Sequence, residues 1–234
     1  MPSTPTQLIV ALDVDHAADA LRLVDQLGPA ATWYKVGKQL FTRCGPAIVQ
    51  QLKGRGKRVF LDLKFHDIPN TVQQAVSAAL EIGADMVNVH GSGGPAMLAA
   101  AAQAKRGDAL VIAVTVLTSL DQAGFTAAGY AGTIAEQVQR LARLAQEAGL
   151  DGVVASGQES ALVRAACGPG FVQVIPGIRP ATAGSDDQKR VMTPAAAVRA
   201  GAHYIVVGRP VTQAVDPAAA AAAITAELAR STGQ

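Results

Sequence analysis

Residues 62–67, with the sequence DLKFHD, carry the densest group of side chains that could take part in chemistry. Side chains alternate in direction along a β-strand, so a strand through this segment directs Asp62 and Lys64 to the same side. The carboxylate favours the ammonium form of its neighbour, which makes Lys64 a candidate proton donor rather than a Schiff-base nucleophile. A structural ion pair is the alternative, but a charged pair inside a protein is costly unless it has a task.

A second lysine and a second aspartate extend this pair. Lys35 lies in the strand predicted before the segment, and Asp67 ends the segment itself. The charges form an alternating Lys-Asp-Lys-Asp array if Asp67 folds back or arrives from another subunit. Fixed charges of this kind suit a reaction that creates or destroys negative charge. The candidate catalytic group is Lys64, Asp62, Lys35 and Asp67.

The segment from Gly208 to Pro210 has the features of a phosphate site. Gly208 lets an anion approach the backbone, Arg209 supplies a forked cation, and Pro210 begins a helix whose N-terminal amides face the anion. The alternative is a plain turn into the last helix with a solvated arginine. Residues 176–190 form a long polar segment containing Arg179 and Gln188, which is predicted to be either a lid over a phosphate or disordered.

These residues need strands that bring them to one place. Three predicted helices end at a glycine that precedes an apolar run, at Gly83, Gly149 and Gly201. Glycine closes a helix because it tolerates the left-handed conformation, and a fully apolar run is typical of a parallel strand covered on both faces. Strands are predicted over residues 8–12, 32–36, 58–63, 85–89, 110–114, 152–155, 172–175 and 204–207.

Strict alternation of strands and helices predicts a parallel sheet, and eight units is the number that closes it. The predicted fold class is therefore α/β, a (β/α)8 TIM barrel, in one domain spanning residues 1–234. A doubly wound open sheet is the alternative, but no G-x-G-x-x-G motif follows the first strand. The active site of such a barrel lies at the C-terminal strand ends, where the candidates are Asp13, Lys35, Asp62, Lys64, Thr118, Arg179, Gly208 and Arg209.

The composition argues against several classes of partner. The net charge is only +2 and the basic residues are scattered, so neither nucleic acid nor an anionic membrane is an expected partner. No stretch reaches the roughly 20 apolar residues of a membrane span, and residues 1–7 do not resemble a signal peptide, so a cytoplasmic location is expected. Cys44 and Cys167 are predicted to be reduced. No metal site is expected from the spacing of the four histidines, which are His16, His66, His90 and His203.

With these residues in place, the chain resembles the orotidine 5′-phosphate decarboxylase family, of the bacterial type. The resemblance spans nearly the whole chain, and the decapeptide at residues 62–71 matches the signature of that family without a departure. The matching segments are residues 11–13 (ALD), 34–37 (YKVG), 62–71 (DLKFHDIPNT), 114–119 (VTVLTS), 176–180 (PGIRP), 187–188 (DQ) and 207–210 (VGRP).

The resemblance implies an enzyme that converts orotidine 5′-phosphate into uridine 5′-phosphate and carbon dioxide, the last step of pyrimidine nucleotide synthesis, without a cofactor. Lys64 would protonate C6 of the pyrimidine as carbon dioxide leaves. Asp62 would lie against the substrate carboxylate, and Lys35 would complete the charge network.

The resemblance also implies how the remainder of the substrate is held. Asp13 would bind the ribose hydroxyls, and Thr118 would contact the pyrimidine edge. The phosphate would be held by Arg179, Gln188, Gly208 and Arg209. The family resemblance further implies a homodimer, in which the residues that reach into the partner's site are Asp67, Ile68 and Thr71.

Two other functions stay open. Sugar-phosphate relatives, such as a hexulose phosphate synthase or a ketogulonate phosphate decarboxylase, share the D-x-K-x-x-D pattern and resemble magnesium enzymes. In those relatives a glutamate near the end of the second strand helps to hold the metal, whereas Lys35 stands there in this chain and would repel Mg²⁺. The second alternative is a noncatalytic barrel that binds phosphate, because a fold alone does not prove a reaction.

Overall fold

Eight short segments of the chain form strands that close into one barrel. The computed structural model describes residues 5–180 and 192–232. Each strand pairs in parallel with the next one along the chain, and the eighth pairs with the first. The predicted fold class, a single eight-stranded α/β barrel, is confirmed. The strands are β1 (Gln7–Ala11), β2 (Trp33–Gly37), β3 (Arg58–Phe65), β4 (Met86–His90), β5 (Leu110–Val114), β6 (Gly152–Val154), β7 (Val172–Ile175) and β8 (Tyr204–Val207).

Helices separate consecutive strands and cover the outside of the barrel. The α-helices are α1 (Ala17–Leu27), α2 (Lys38–Cys44), α3 (Ala47–Gly54), α4 (Pro69–Glu81), α5 (Gly94–Gln103), α6 (Gln122–Ala127), α7 (Ile134–Glu147), α8 (Ser160–Cys167), α9 (Pro194–Ala200), α10 (Arg209–Thr212) and α11 (Pro217–Thr232). Within the part of the chain that the structure describes, three 3-10 turns occupy Gly28–Ala30, Gly91–Gly93 and Gly157–Glu159. The alanine-rich run 218–223 lies in α11, as its high helix propensity predicts.

Two apolar layers hold the barrel together. Alternate residues of each strand point outward and pack against the helices, while the others fill the interior. Complete burial of one such side chain contributes about 1.5–3 kcal/mol to folding. The buried interior layer consists of Ile9, Ala11, Trp33, Phe60, Met86, Ile112, Val174 and Val206.

The interior layer sets the height of the polar residues above it. Two positions beyond Trp33, Phe60 and Met86, toward the C-terminal ends of their strands, the chain carries Lys35, Asp62 and Asn88. The alternation of side chains directs these three residues to the barrel axis as well. A layer of polar groups therefore lies directly on top of an apolar one, at the end of the barrel where such folds bind their ligands.

No helix in residues 5–180 and 192–232 combines the length and the apolar character that crossing a bilayer demands.

Candidate active site

A cavity of about 590 Å³ opens at the C-terminal end of the barrel. This volume lies within the range of small-molecule sites in proteins. Its apolar floor includes Phe60, Val174 and Val206 of the interior layer. The predicted site residues that line the cavity are Asp13, Lys35, Asp62, Lys64, Thr118, Arg179, Gly208 and Arg209. The structure therefore brings these eight residues, from six different strands or the loops that follow them, to one place.

Four of these residues form a continuous chain of opposite charges. Lys64 Nζ lies 2.5 Å from Asp62 Oδ1, and Lys35 Nζ lies 3.6 Å from Asp62 Oδ2. Lys35 Nζ also donates to Asp13 Oδ1 at 2.9 Å. The side chains of Asp62 and Lys35 are only 12% and 13% exposed, whereas that of Asp13 is 59% exposed. The buried carboxylate of Asp62 is thus held between two ammonium groups.

The surroundings of Asp62 keep it ionised. Burial alone would raise the pKa of this carboxyl group, because it removes the charged form from water. The ammonium groups of Lys35 and Lys64, together with hydrogen bonds from Lys64 and Asn88, outweigh burial and lower the pKa below its usual value. A negative charge is therefore fixed in a largely enclosed position, next to a proton-bearing nitrogen.

The strand that carries Asp62 and Lys64 is irregular at this point. Leu61 pairs with Val87 and Phe65 pairs with Val89, so residues 62–64 of β3 lie opposite the single residue Asn88 of β4. Among the described residues, Lys64 alone combines a side chain with a positive φ, of 53°. This conformation costs a residue with a side chain roughly 1–2 kcal/mol. The contact predicted between Asp62 and Lys64 is present, but a bulged strand makes it rather than simple alternation.

Asn88 was not predicted from the sequence, although it lies at the centre of this cluster. It is fully buried, and its side-chain amide forms hydrogen bonds with Asp62 and with the backbone of Lys64. The signal that could have identified it is a polar residue at an interior position of β4, two residues beyond Met86 and level with Asp62. Gly37 was not predicted either. A Cβ at this position would lie 3.0 Å from Lys35 Nζ and 3.3 Å from Asp13 Oδ1, so the glycine leaves room for the contact between these two side chains.

Two arginines stand at the edge of the cavity, after β7 and β8. Arg209 begins α10, directly after Gly208, and is exposed to solvent. Arg179 follows β7, and its backbone N–H donates to Met192 O at 2.9 Å, which ties the loop after β7 to the segment before α9. Both arginines line the same cavity as Asp62 and Lys64. Their charge makes this edge suited to an anionic group of a ligand.

Three of the remaining predicted residues are described by the structure, and they lie outside the cavity of the single chain. Asp67, Ile68 and Thr71 are exposed and do not line it. Asp67 Oδ1 accepts the backbone N–H of Ile68 at 2.7 Å, and Ile68, just before α4, is 67% exposed. Gln188 lies outside the described residues.

Two histidines lie beside the charged cluster. The ring centroids of His66 and His90 are 5.3 Å apart, and both rings line a smaller cavity of about 180 Å³. Burial, assisted by His66 and nearby lysines, lowers the pKa of His90 to about 4, so that it is neutral at neutral pH. Within residues 5–180 and 192–232, no three His, Cys, Asp or Glu side chains converge in a way that could hold a metal ion. Cys44 and Cys167 are free thiols.

Comparison with known proteins agrees with this geometry. The model of the orotidine 5′-phosphate decarboxylase / HUMPS family matches residues 6–224. An orotidine 5′-phosphate decarboxylase of Saccharophagus degradans is 56% identical over 227 residues, covering 96% of this chain and 95% of that protein. One of Moorella thermoacetica is 55% identical over 231 residues, covering 95% and 92%.

A solved structure is similar over the same length. The orotidine 5′-phosphate decarboxylase from Lactobacillus acidophilus superposes with a TM-score of 0.85 at 36% identity, covering 95% of this chain and 99% of that chain. The family match spans all eight strands of the barrel and every described residue of the cavity. The chain therefore belongs to the orotidine 5′-phosphate decarboxylase / HUMPS family.

Proposed function

We propose that this protein catalyses the decarboxylation of orotidine 5′-phosphate to uridine 5′-phosphate, a step of pyrimidine biosynthesis. The observation that carries the proposal is the contact between Lys64 and Asp62 at the mouth of the barrel, with Lys35 behind them. Curated relatives that are 51–56% identical and carry this enzyme's name support the choice of substrate.

The hard step of this reaction is the formation of a carbanion. When the bond between C6 and the carboxylate breaks, its electron pair stays on C6, in an orbital that the pyrimidine ring does not delocalise. The ammonium group of Lys64 meets this charge and delivers one proton to C6, which leaves a neutral amine that regains a proton from water. A cation held by Asp62 before the reaction needs no reorganisation when the charge appears.

Asp62 has two tasks in this scheme. It keeps Lys64 in place through the 2.5 Å contact, and it presents a buried negative charge where the substrate carboxylate would lie. Repulsion between two carboxylates disappears when one leaves as carbon dioxide, so this arrangement favours the transition state over the bound substrate. Lys35 limits the cost of burying Asp62, because it lies 3.6 Å from its other oxygen.

The outer part of the cavity suits the ribose and the phosphate. Asp13 Oδ1 accepts a hydrogen bond from Lys35, but the Asp13 side chain is 59% exposed. Its other carboxylate oxygen, Oδ2, can therefore accept hydrogen bonds from ribose hydroxyls. Thr118 lines the cavity beyond β5 and would contact the pyrimidine edge. We assign the phosphate to the edge that carries the two arginines, and its proposed ligands are Arg179, Gln188, Gly208 and Arg209. Binding energy gained on this remote group would align the ring over Lys64.

The sugar-phosphate alternative is tested by removing metal. The family description covers more than one activity, and a magnesium-dependent relative would need acidic ligands where Lys35 stands. We expect protein dialysed against a chelator to convert orotidine 5′-phosphate at an undiminished rate, followed as the loss of orotate absorbance. Turnover that appears only after Mg²⁺ is added would favour the alternative, and no turnover in either condition would contradict the proposal.

We further propose that the active form is a homodimer in which each chain completes the site of the other. Asp67, Ile68 and Thr71 lie outside their own chain's cavity but close to Lys64 in sequence, at the start of α4. Ile68 exposes 67% of its surface, and a partner subunit that covers it would remove this apolar side chain from water. Asp67 of the partner subunit would then extend the array beyond Lys64.

Mixing two inactive variants tests this arrangement. Lys64→Ala and Asp67→Asn should each have little activity alone, because every site in either homodimer lacks one member of the array. After subunit exchange, a mixed dimer has one doubly altered site and one intact site, so about a quarter of all sites should become active. The measurement is decarboxylase activity before and after exchange. Exchange without recovery would show that Asp67 acts in its own chain.

A further inference from the structure

We propose that Asn88 is a positioning residue for the reaction, holding Asp62 and the backbone of Lys64 in their reactive arrangement. This inference rests on the proposed decarboxylase function. Asn88 does not line the cavity, so it acts through its two neighbours and not through contact with the substrate.

The bulge in β3 creates the need for such a residue. Three residues of β3 face one residue of β4, so the regular ladder of backbone hydrogen bonds is interrupted between Leu61 and Phe65. The side chain of Asn88 supplies the missing partner there: its Oδ1 accepts the backbone N–H of Lys64 at 2.8 Å. This bond holds Lys64 in its left-handed conformation, which aims the ammonium group at the cavity.

The other end of the same amide holds the carboxylate. Asn88 Nδ2 donates to Asp62 Oδ1 at 2.7 Å, the same oxygen that accepts the ammonium of Lys64 at 2.5 Å. The orientation of the amide follows from its partners, because a backbone N–H only donates and a carboxylate only accepts. One fully buried side chain therefore sets the relative position of the two proposed reacting groups.

The chain offers a matched control for a merely structural amide. Gln173 of β7 is also buried in a barrel strand, and its Oε1 accepts from Ser160 Oγ at 2.7 Å on the helix side. It does not line the cavity. Loss of a buried amide should destabilise the fold in both places, but only the loss of Asn88 should change the chemistry.

The first experiment compares Asn88→Ala with Gln173→Ala at a temperature well below both unfolding midpoints. We expect kcat for orotidine 5′-phosphate to fall roughly 10²-fold in Asn88→Ala, as for other misplaced catalytic groups, while KM changes little. Gln173→Ala should retain the native kcat. An unchanged kcat in Asn88→Ala, or an equal loss in both variants, would overturn the inference.

A second variant reports on the two hydrogen bonds themselves. A protonated carboxyl in Asn88→Asp can accept from the Lys64 N–H and donate to Asp62, whereas the ionised form repels Asp62. The ionisable groups around this position are Lys35, Lys38, Asp62, Lys64, His66 and His90. Neighbouring β5 contributes none, since its sequence is LVIAV.

The ratio of Asn88→Asp activity to Asn88→Ala activity should therefore exceed one at acid pH and fall as the pH rises. The charged groups named above are present in both variants, so the carboxyl at position 88 is the one titrating group that distinguishes them. A ratio of one at every pH, or a ratio that rises with pH, would refute the positioning role. If the native protein itself does not turn over orotidine 5′-phosphate, the proposed function fails instead, which the native control reveals before any variant is measured.

Discussion

Replacing Lys64 with alanine should reduce kcat for orotidine 5′-phosphate decarboxylation by roughly 10⁴-fold or more. The variant loses the proton donor and the cation that meets the carbanion, and each such contribution is commonly worth about 10²-fold or more. Binding of the product uridine 5′-phosphate should remain measurable, because the proposed phosphate ligands are unchanged. The rate is followed by orotate absorbance and the binding by calorimetry.

An ion pair elsewhere in the barrel provides the control for this variant. Lys53 Nζ donates to Asp85 at 2.7 Å, so Lys53→Ala also removes an ammonium group from a carboxylate, but away from the cavity. Its kcat should be close to that of the native protein. If Lys64→Ala keeps native activity, or if Lys53→Ala loses as much, Lys64 is not the proton donor.

Replacing Arg209 with alanine should weaken the binding of phosphorylated ligands, raising the inhibition constant of uridine 5′-phosphate by roughly 10²-fold. A hydrogen bond between charged groups is worth about 1.5–3 kcal/mol, and the guanidinium can form two of them with a phosphate. Because remote binding energy also aligns the reacting ring, kcat/KM should fall at least as much. Steady-state inhibition measurements give both quantities.

Two comparisons isolate the phosphate in this experiment. Uridine, which has no phosphate, should bind the Arg209→Ala variant and the native protein equally. Arg199→Ala alters an exposed arginine of α9 that does not line the cavity, and it should leave both ligands unaffected. An unaltered inhibition constant for uridine 5′-phosphate in Arg209→Ala would refute the assignment.

The eight strands could be predicted because their signals are local. An apolar run after a glycine-closed helix can be recognised without knowing which strands it pairs with. The observed strand bounds differ from the predicted ones by no more than two residues, and the largest difference is at β3, which continues to Phe65. The eight predicted residues that line the cavity come from six strands, and they could be identified because a barrel presents all C-terminal strand ends on one side. Their roles in the reaction remain predictions.

Contacts between strands could not be predicted in the same way. Asn88 looks like one polar residue in an apolar strand until the pairing of Phe60 with Met86 places it level with Asp62. The bulge that gives Lys64 its positive φ is likewise a property of two strands paired together. The place of Asp67 depends on a second chain, so neither one sequence nor one subunit determines it.

The sequence by itself determined which side chains lie at the ends of the strands. The residue types of each short segment, and the alternating direction of side chains along a strand, are sufficient to show this. Only the tertiary structure decided which of them touch: the contacts of Lys35 with Asp13, and of Asn88 with Asp62 and Lys64, join different strands. The physical reason is register. Closing eight tilted strands into a barrel sets the stagger of each against the next, and that stagger determines which charges become neighbours.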